Sequence, residues 1–436
     1  MTPTPEAERL NADLAAESPA LAALLSPLGR RAAFPRGIPF QSAEARGKRF
    51  DGTIGQITDG RGGALPLPSV AAALAGLGEA AEVGRAVLYS PIDGMPELRR
   101  RWRERQRRGV PEGVDSTLPL VVDGLSHGLS LVADLFAGPE RPVAVPEPFW
   151  GNYRGAFATR TGARLIAAPA FRDRVPDAAA VARAVAALPD GEPAIALLNF
   201  PSNPGGWSPA AAGREELVAA LVAEAERRPL LAVCDDAYAG LVYDDAVPRE
   251  SLFWQLAGRH PNLVPVKVDG ASKELAFFGG RVGFLTFALP PEGAAARALE
   301  SKVKGLVRAT VGSPVAASQA VALAALASPS IDAEIEALRR LLAERWRAIV
   351  AALAVCDPGL LVPLPSNAGS FVLVEVTAPG VDPEALRRHL LERHDTGVVA
   401  IAPRYLRMAH CSVAAADLPE LVRRIERGAA ELAGGG

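Results

Sequence analysis

The sequence predicts an α/β fold, in which a mostly parallel β-sheet is sandwiched between helices and a smaller α+β domain lies beside it. Short apolar runs bounded by Pro, Gly or Asp indicate buried strands. A helix predicted over 213–228 separates two of these runs, and this strand–helix–strand alternation is typical of parallel sheets. After about residue 325 long helical stretches dominate, which indicates a second domain.

The elements follow in order along the 436 residues. Residues 1–30 are rich in Ala and Leu and predict helix, whereas 31–68 are rich in loop-forming residues. The predicted strands of the main sheet are 118–122, 142–145, 194–200, 230–234, 263–268 and 282–287. The predicted elements of the second domain are a helix over 331–353, a strand over 371–376, a helix over 382–393, a short strand and a last helix over 417–433.

These elements predict three segments. Residues 1–65 form an N-terminal arm and part of the small domain, residues 66–325 form the large domain, and residues 326–436 form the rest of the small domain. Both chain ends therefore contribute to the small domain, as is common when one domain is inserted within another.

Composition argues against several classes of protein. The net charge of -2 disfavours a nucleic-acid binder, which needs a basic face. No apolar run reaches the roughly 18 residues of a membrane span, and the polar N-terminus lacks a secretory pattern, so we expect a cytoplasmic protein without a membrane partner. The three cysteines and five histidines show no metal-ligand spacing, so we expect no metal.

The segment DGASKELAFFGGRVG (269–283) carries the first chemical signal in a chain with only five lysines. Lys273 follows a predicted strand end, where open α/β sheets bind ligands, and its amine could form a Schiff base with an aldehyde cofactor. The Ser272 hydroxyl and the Arg281 guanidinium could hold a phosphate. A surface Lys and Arg flanking a glycine turn explain this segment alone equally well.

Three other segments favour the cofactor. In VCDDAYAGLVY (233–243), Asp235 ends a strand and could pair with a protonated ring nitrogen, with Tyr238 three residues later. Asn203, in NFPSNPGG, precedes a proline in a rigid turn that can aim its amide. Ser126, in DGLSHGL, opens a helix whose backbone N–H groups form an anion site.

With these motifs in this order, the chain resembles the class I aminotransferases (aspartate/aromatic aminotransferase-like) of the fold-type I pyridoxal 5′-phosphate (PLP) enzymes, over roughly residues 50–415. The resemblance implies a homodimer with shared active sites that moves an amino group from an L-amino acid to a 2-oxo acid through a Lys273 Schiff base with PLP. A β-lyase or decarboxylase would share every cofactor residue, and a non-catalytic regulator on this fold is the alternative from a different class.

The resemblance also implies roles for single residues in cofactor binding. Lys273 resembles the Schiff-base lysine and proton shuttle, and Asp235 the partner of the pyridine nitrogen; its rival Asp236 lacks the Asp-x-x-Tyr spacing. Tyr238 and Asn203 resemble the pair that hydrogen-bonds the 3-hydroxyl of the cofactor. The residues that resemble phosphate contacts are Leu125 (through its backbone), Ser126, Ser272, Arg281 and, in the neighbouring subunit, Tyr89 of LYSPIDGMPELR.

The residues that face the substrate follow from the same resemblance. Trp150, in EPFWGNY, resembles the aromatic that stacks on the ring and borders the substrate. Arg407 resembles the arginine that binds the α-carboxylate, with Arg404 as a weaker competitor, and Gly55 of IGQITD is expected near that carboxylate. Arg308 occupies the position of a partner-subunit arginine in relatives that act on dicarboxylates, which favours aspartate or glutamate, with an aromatic amino acid next.

Overall fold

A computed structural model describes residues 3–34 and 37–434. The strands are β1 (Phe50–Asp51), β2 (Leu120–Val122), β3 (Val143–Glu147), β4 (Leu165–Pro169), β5 (Phe171–Arg172), β6 (Val175–Pro176), β7 (Ala194–Leu198), β8 (Leu230–Asp235), β9 (Leu263–Gly270), β10 (Gly283–Phe287), β11 (Leu361–Pro363), β12 (Val372–Val376), β13 (Thr396–Gly397), β14 (Val399–Ile401) and β15 (Tyr405–Met408).

The α-helices are α1 (Pro5–Glu17), α2 (Pro19–Leu24), α3 (Pro27–Arg31), α4 (Ile38–Ala45), α5 (Pro68–Ala75), α6 (Ala80–Val87), α7 (Pro96–Gln106), α8 (Leu125–Phe136), α9 (Ala180–Ala186), α10 (Ala211–Arg227), α11 (Phe253–Leu256), α12 (Ala271–Glu274), α13 (Ala294–Thr310), α14 (Ala316–Ala327), α15 (Ile331–Leu353), α16 (Pro383–Arg393) and α17 (Leu418–Gly434). Within the described residues, none of them has both the length and the apolar character needed to cross a membrane.

The central sheet has seven strands in the order β2-β10-β9-β8-β7-β3-β4, and only β10 runs antiparallel to its neighbours. Strand β8 shows why such strands are apolar on both faces. Leu231 and Val233 pack into the core that contains α8, whereas Ala232 and Cys234 pack into the core on the other face, which contains α10. This arrangement confirms the predicted sheet covered by helices.

The register of the sheet determines where the side chains at the ends of β8 and β9 lie. Asp235, the last residue of β8, pairs with Val268 of β9, and β9 continues only to Gly270 before α12 begins. The side chains that follow these two strands therefore meet at the same edge of the sheet. Strand β4 was not predicted. It is the outermost strand of the sheet, on the side opposite β2, and four of the five residues of LIAAP are partly or fully exposed.

A second, antiparallel sheet has the order β11-β12-β15-β14, and its core includes residues of α15, α16 and α17. The N-terminal part of the chain reaches this region, since β1 pairs in parallel with β13. The backbone of Gly52 also donates to Gly397 O at 2.9 Å and accepts from Ala409 N at 2.8 Å. Both chain ends therefore build the smaller α+β unit, as expected.

The structure differs from the sequence prediction in two N-terminal segments, residues 1–30 and 31–68. The predicted helix over 1–30 is three helices, and α2 and α3 each begin at a proline, which favours the first turn of a helix. The prediction of loop over 31–68 is wrong for α4. Gln41 in this helix donates to Ala400 O at 3.2 Å and accepts from Ala400 N at 2.8 Å, so a contact 359 residues away in sequence stabilises it.

Candidate active site

A cleft of about 330 Å³ lies between the edge of the central sheet and the smaller unit. The predicted site residues that line it are Gly55, Leu125, Ser126, Trp150, Asn203, Asp235, Tyr238, Ser272, Lys273, Arg281 and Arg407. Tyr89 and Arg308 do not line it; Tyr89 is 94% exposed, and Arg308 is exposed in the last turn of α13.

Lys273 projects into this cleft from the short helix α12, directly after β9. Its Nζ lies 5.2 Å from the ring centre of Phe278 and 5.8 Å from that of Tyr238. Burial lowers the pKa of Lys273, and the positive charge of Arg281 lowers it further, while Asp235 opposes the shift. The amine is therefore closer to its neutral, nucleophilic form than an exposed lysine is.

Asp235 is buried at the floor of the cleft. Its Oδ2 accepts a hydrogen bond from the Tyr153 hydroxyl at 2.6 Å, and its Oδ1 accepts from Ala237 N at 3.1 Å. Burial raises the pKa of Asp235, and the Tyr153 hydrogen bond partly offsets that rise. Burial also raises the pKa of Tyr153 well above its usual value, so this hydroxyl stays protonated and remains a donor.

The neighbouring Asp236 does not line the cleft and belongs to a different cluster. Its Oδ2 lies 3.5 Å from the Nζ of Lys267, which also contacts Asp269. Burial is the main reason that the pKa of Asp236 rises to about 6. The fold therefore presents Asp235, and not Asp236, to a ligand in the cleft.

A polar network connects Asp235 to Arg407, on the side of the cleft formed by the smaller sheet. The side chain of Asn199 donates to Asp235 O at 3.0 Å and accepts from Asn203 N at 2.8 Å. The Asn203 side chain then hydrogen-bonds Tyr238 and accepts from Arg407 Nη1 at 3.0 Å. Asn203 is thereby held between Tyr238, with which it was predicted to act, and Arg407.

Arg407 is 1% exposed and comes from β15 in the smaller sheet. Its Nη2 donates to Thr53 O, its Cζ lies 4.1 Å from the ring centre of Phe371, and its Nε has no hydrogen-bond partner in the described part of the chain. Burial lowers its pKa to about 10, so the side chain is still a cation at neutral pH. Arg404, in contrast, is 64% exposed and pairs with Glu375.

An anion-binding cradle forms where α8 begins. Gly124, with φ of 81°, precedes Leu125, and a Cβ at Gly124 would lie 2.2 Å from Nη2 of Arg281. Arg281 itself has the left-handed φ of 53°, a conformation that non-glycine residues adopt mainly at turns and functional sites. The buried Ser272 Oγ has no hydrogen-bond partner among the described residues. Together with the N–H groups at the start of α8, these groups suit a phosphate.

The charges and donors of the cleft fit PLP. Lys273, Arg281 and Arg407 face the single carboxylate of Asp235, so the lining has an excess of two positive charges when all four are ionised. Such a lining suits a ligand with a phosphate and a substrate with a carboxylate. The unpartnered Ser272 Oγ supplies a donor for the phosphate, Asp235 an acceptor for a ring N–H, and Lys273 the amine for an aldehyde.

Among the lining residues that were not predicted, three support predicted ones. Tyr153 holds Asp235, Asn199 anchors Asn203, and Phe371 lies against Arg407. Tyr153 follows Trp150 by three residues, about one helical turn, and this spacing is a signal that could have identified it. Phe371 gave no such signal, because it begins an apolar run that also predicts a core strand.

Comparisons with known proteins identify a matching family. Residues 53–425 match the sequence model of the family described as Aminotransferase class I and II. The chain is 30% identical over 353 residues to the arginine–pyruvate transaminase of Pseudomonas aeruginosa, covering 79% of this chain and 83% of that protein.

Solved structures share the fold. An aminotransferase from Anaerococcus prevotii superposes with a TM-score of 0.79 at 19% identity, covering 91% of this chain and 96% of its own. The kynurenine aminotransferase of Pyrococcus horikoshii superposes with a TM-score of 0.78 at 17% identity, covering 95% of this chain and 98% of its own.

Proposed function

The chain belongs to the aminotransferase class I and II family, and from this premise we propose that it is an aminotransferase that binds PLP on Lys273 and moves an amino group from an L-amino acid to a 2-oxo acid. One observation carries the proposal. Lys273, Asp235 and Arg407 come from three different strands or strand ends in two sheets, and all three face one cleft. A binding protein would not need an amine, a buried carboxylate and a buried guanidinium in one place.

When bound, PLP supplies an aldehyde for the amino group and a ring that accepts electrons. Asp235 keeps a positive charge on the ring nitrogen favourable, and the hydroxyl of Tyr153 stabilises the Asp235 carboxylate in its ionised form. Arg407 binds the α-carboxylate of the donor with its two-pronged guanidinium. Lys273 Nζ, whose pKa is lowered by burial, then takes the proton from the donor α-carbon.

We propose that Leu125 N, Ser126, Ser272 and Arg281 would hold the phosphate and that Trp150 would stack on the ring. Tyr238 and Asn203 lie on the side of the cleft that leads to Arg407, where they can hydrogen-bond the 3-hydroxyl.

We further propose a homodimer with shared active sites. Tyr89 and Arg308 are exposed and do not line the cleft of their own chain, and exposed apolar side chains adjoin both positions in sequence, namely Val87, Leu88, Val311 and Val315. An apolar patch of this kind is typical of a protein interface. Light scattering tests this proposal, with a mass of twice 45.5 kDa expected and a single-chain mass contradicting it.

The domain and compartment assignments are also proposals. Support for a large domain over 66–325 and a small domain from 1–65 and 326–436 is that the central sheet lies within 120–287 and the smaller sheet within 361–408. Support for a cytoplasmic location is the cysteine usage, because Cys234, Cys356 and Cys411 are unpaired, as is typical of reducing compartments.

The test is a panel of donors mixed singly with the cofactor-loaded enzyme, without an acceptor. The panel contains arginine, because of the Pseudomonas relative, then aspartate and glutamate, because of Arg308, and then aromatic amino acids. An active donor should change the visible absorbance of the bound cofactor and yield one 2-oxo acid per site. Donors that release carbon dioxide or ammonia instead would contradict amino transfer.

A further inference from the structure

Outside the cleft, two histidines and a glutamate converge on the surface of the smaller unit. His389 lies on α16, His394 is the residue after the end of that helix, and Glu431 lies in the last turn of α17. Nε2 of His389 lies 2.7 Å from Oε2 of Glu431, and Nε2 of His394 lies 2.9 Å from the same oxygen. The two imidazole nitrogens thus share one carboxylate oxygen.

A close contact between the two helices creates this cluster. A Cβ at Gly428 of α17 would lie 2.9 Å from Cδ2 of Leu390 and 3.4 Å from Cδ2 of His389, so a larger residue there would displace the end of the Leu390 side chain. Glu431 follows Gly428 by three residues and therefore lies on the same face of α17. The backbone of His394 is held as well, because its carbonyl accepts hydrogen bonds from Thr396 and Arg424.

The geometry points to a binding site for a divalent transition-metal ion of the zinc class, held by His389, His394 and Glu431. The three ligand atoms lie within 4.8 Å of one another. Tetrahedral zinc with bonds of about 2.0–2.1 Å separates its ligands by roughly 3.4 Å, so the nitrogens and the oxygen need to move apart by about half an ångström. Two imidazoles and a carboxylate favour zinc, nickel or copper over magnesium or calcium.

The exposure of the three side chains also suits an ion. The side chains of Glu431, His389 and His394 are 44%, 21% and 8% exposed, so an ion can reach the site from solvent. Within the described residues the ligand group consists of these three side chains, which leaves a fourth position for water. A bound ion would connect the ends of α16 and α17 and so stabilise the C-terminal helix on the smaller sheet.

The test is calorimetric titration of Zn²⁺ into the cofactor-loaded enzyme, with Mg²⁺ as the comparison ion. We expect one Zn²⁺ per chain, a rise in the thermal unfolding midpoint, and no response to Mg²⁺. His394→Ala and Glu431→Gln, tested separately, should each weaken Zn²⁺ binding by at least the roughly 10–100-fold that loss of a supporting residue costs a metal site. His260→Ala, at a histidine outside the cluster, should bind Zn²⁺ like the parent enzyme.

Circular dichroism and the absorbance of the bound cofactor show whether each variant is folded. Failure of the parent enzyme to bind Zn²⁺ at micromolar concentration would overturn the inference, and so would equal binding by folded His394→Ala and Glu431→Gln variants. Because the readouts are heat and unfolding temperature, they are independent of amino transfer.

Discussion

The contact between Tyr153 and Asp235 leads to a quantitative prediction. Tyr153→Phe removes one hydroxyl and leaves Asp235 Oδ2, which is buried, without its 2.6 Å donor. A hydrogen bond to a charged group contributes about 1.5–3 kcal/mol, and a tenfold change in rate or affinity corresponds to about 1.4 kcal/mol. We therefore expect a loss of roughly 10- to 100-fold in the rate of the first half-reaction.

The direction of the pH effect follows from the same contact. Burial already raises the pKa of Asp235, and the Tyr153 hydrogen bond lowers it, so removing the hydroxyl raises that pKa further. The half-reaction needs the ionised carboxylate, and its rate falls as pH drops through the pKa. In Tyr153→Phe this fall should therefore begin at a higher pH.

Stopped-flow absorbance under single-turnover conditions measures both effects. Tyr243→Phe is the matched control, because Tyr243 is also buried and its hydroxyl donates to the Gly369 carbonyl, but it does not line the cleft. The control should keep the parental rate and pH profile. If Tyr153→Phe retained a rate within about twofold of the parent and the same pH profile, the role given to this hydrogen bond would be refuted.

Three further predictions concern substrate binding and stability. Arg407→Lys should lower kcat/KM by about 10²- to 10³-fold, since truncating a buried charged hydrogen-bonding group costs roughly 2–5 kcal/mol. Arg404→Lys, at an exposed position, should leave kcat/KM unchanged. Equal losses in the two variants would reject Arg407 as the residue that binds the α-carboxylate. Gly55→Ala places a Cβ 2.4 Å from Cζ of Phe371, the ring beneath Arg407, and should lower kcat/KM by roughly tenfold or more in steady-state assays; a parental value would show that the ring moves without consequence. The pKa of Asp236 rises to about 6, so the folded chain keeps a proton on this carboxyl that the unfolded chain releases above about pH 4. The free energy of unfolding should therefore decline by up to about 3 kcal/mol as the pH rises from 4 to 6. Asp236→Asn should reduce that decline in denaturant titrations of the cofactor-free protein, and an unchanged slope would assign it to other groups.

The parts of the fold that the sequence predicted are those governed by local pattern. β8 is apolar until Asp235, β9 is buried along nearly its whole length, and the residue types change where each strand ends, so Asp235 and Lys273 could be assigned to one edge of the sheet. The helix α4 could not be predicted in this way, because its hydrogen bonds to Ala400 depend on the assembled smaller unit.

Contacts between residues that are far apart in sequence also limit what can be predicted within the site. The partnership of Tyr153 with Asp235 spans 82 residues, so the local spacing to Trp150 could indicate Tyr153 but not its partner. The spacing to Tyr238 favours Asp235 over Asp236, and the structure agrees, since Asp235 lines the cleft whereas Asp236 contacts Lys267 outside it. Tyr89 and Arg308 do not line the cleft of their own chain, and the proposed homodimer would assign them to the cleft of a second copy.

The central claim is that Lys273, one of five lysines, carries the cofactor. Borohydride reduction of the enzyme as purified fixes a lysine–aldehyde linkage as a stable amine, and peptide mass mapping then locates it. We predict the mass of the reduced cofactor on the peptide that contains Lys273, and its absence in Lys273→Ala. Label on Lys48, Lys267, Lys302 or Lys304, or no label on an enzyme that transfers amino groups, would contradict the account.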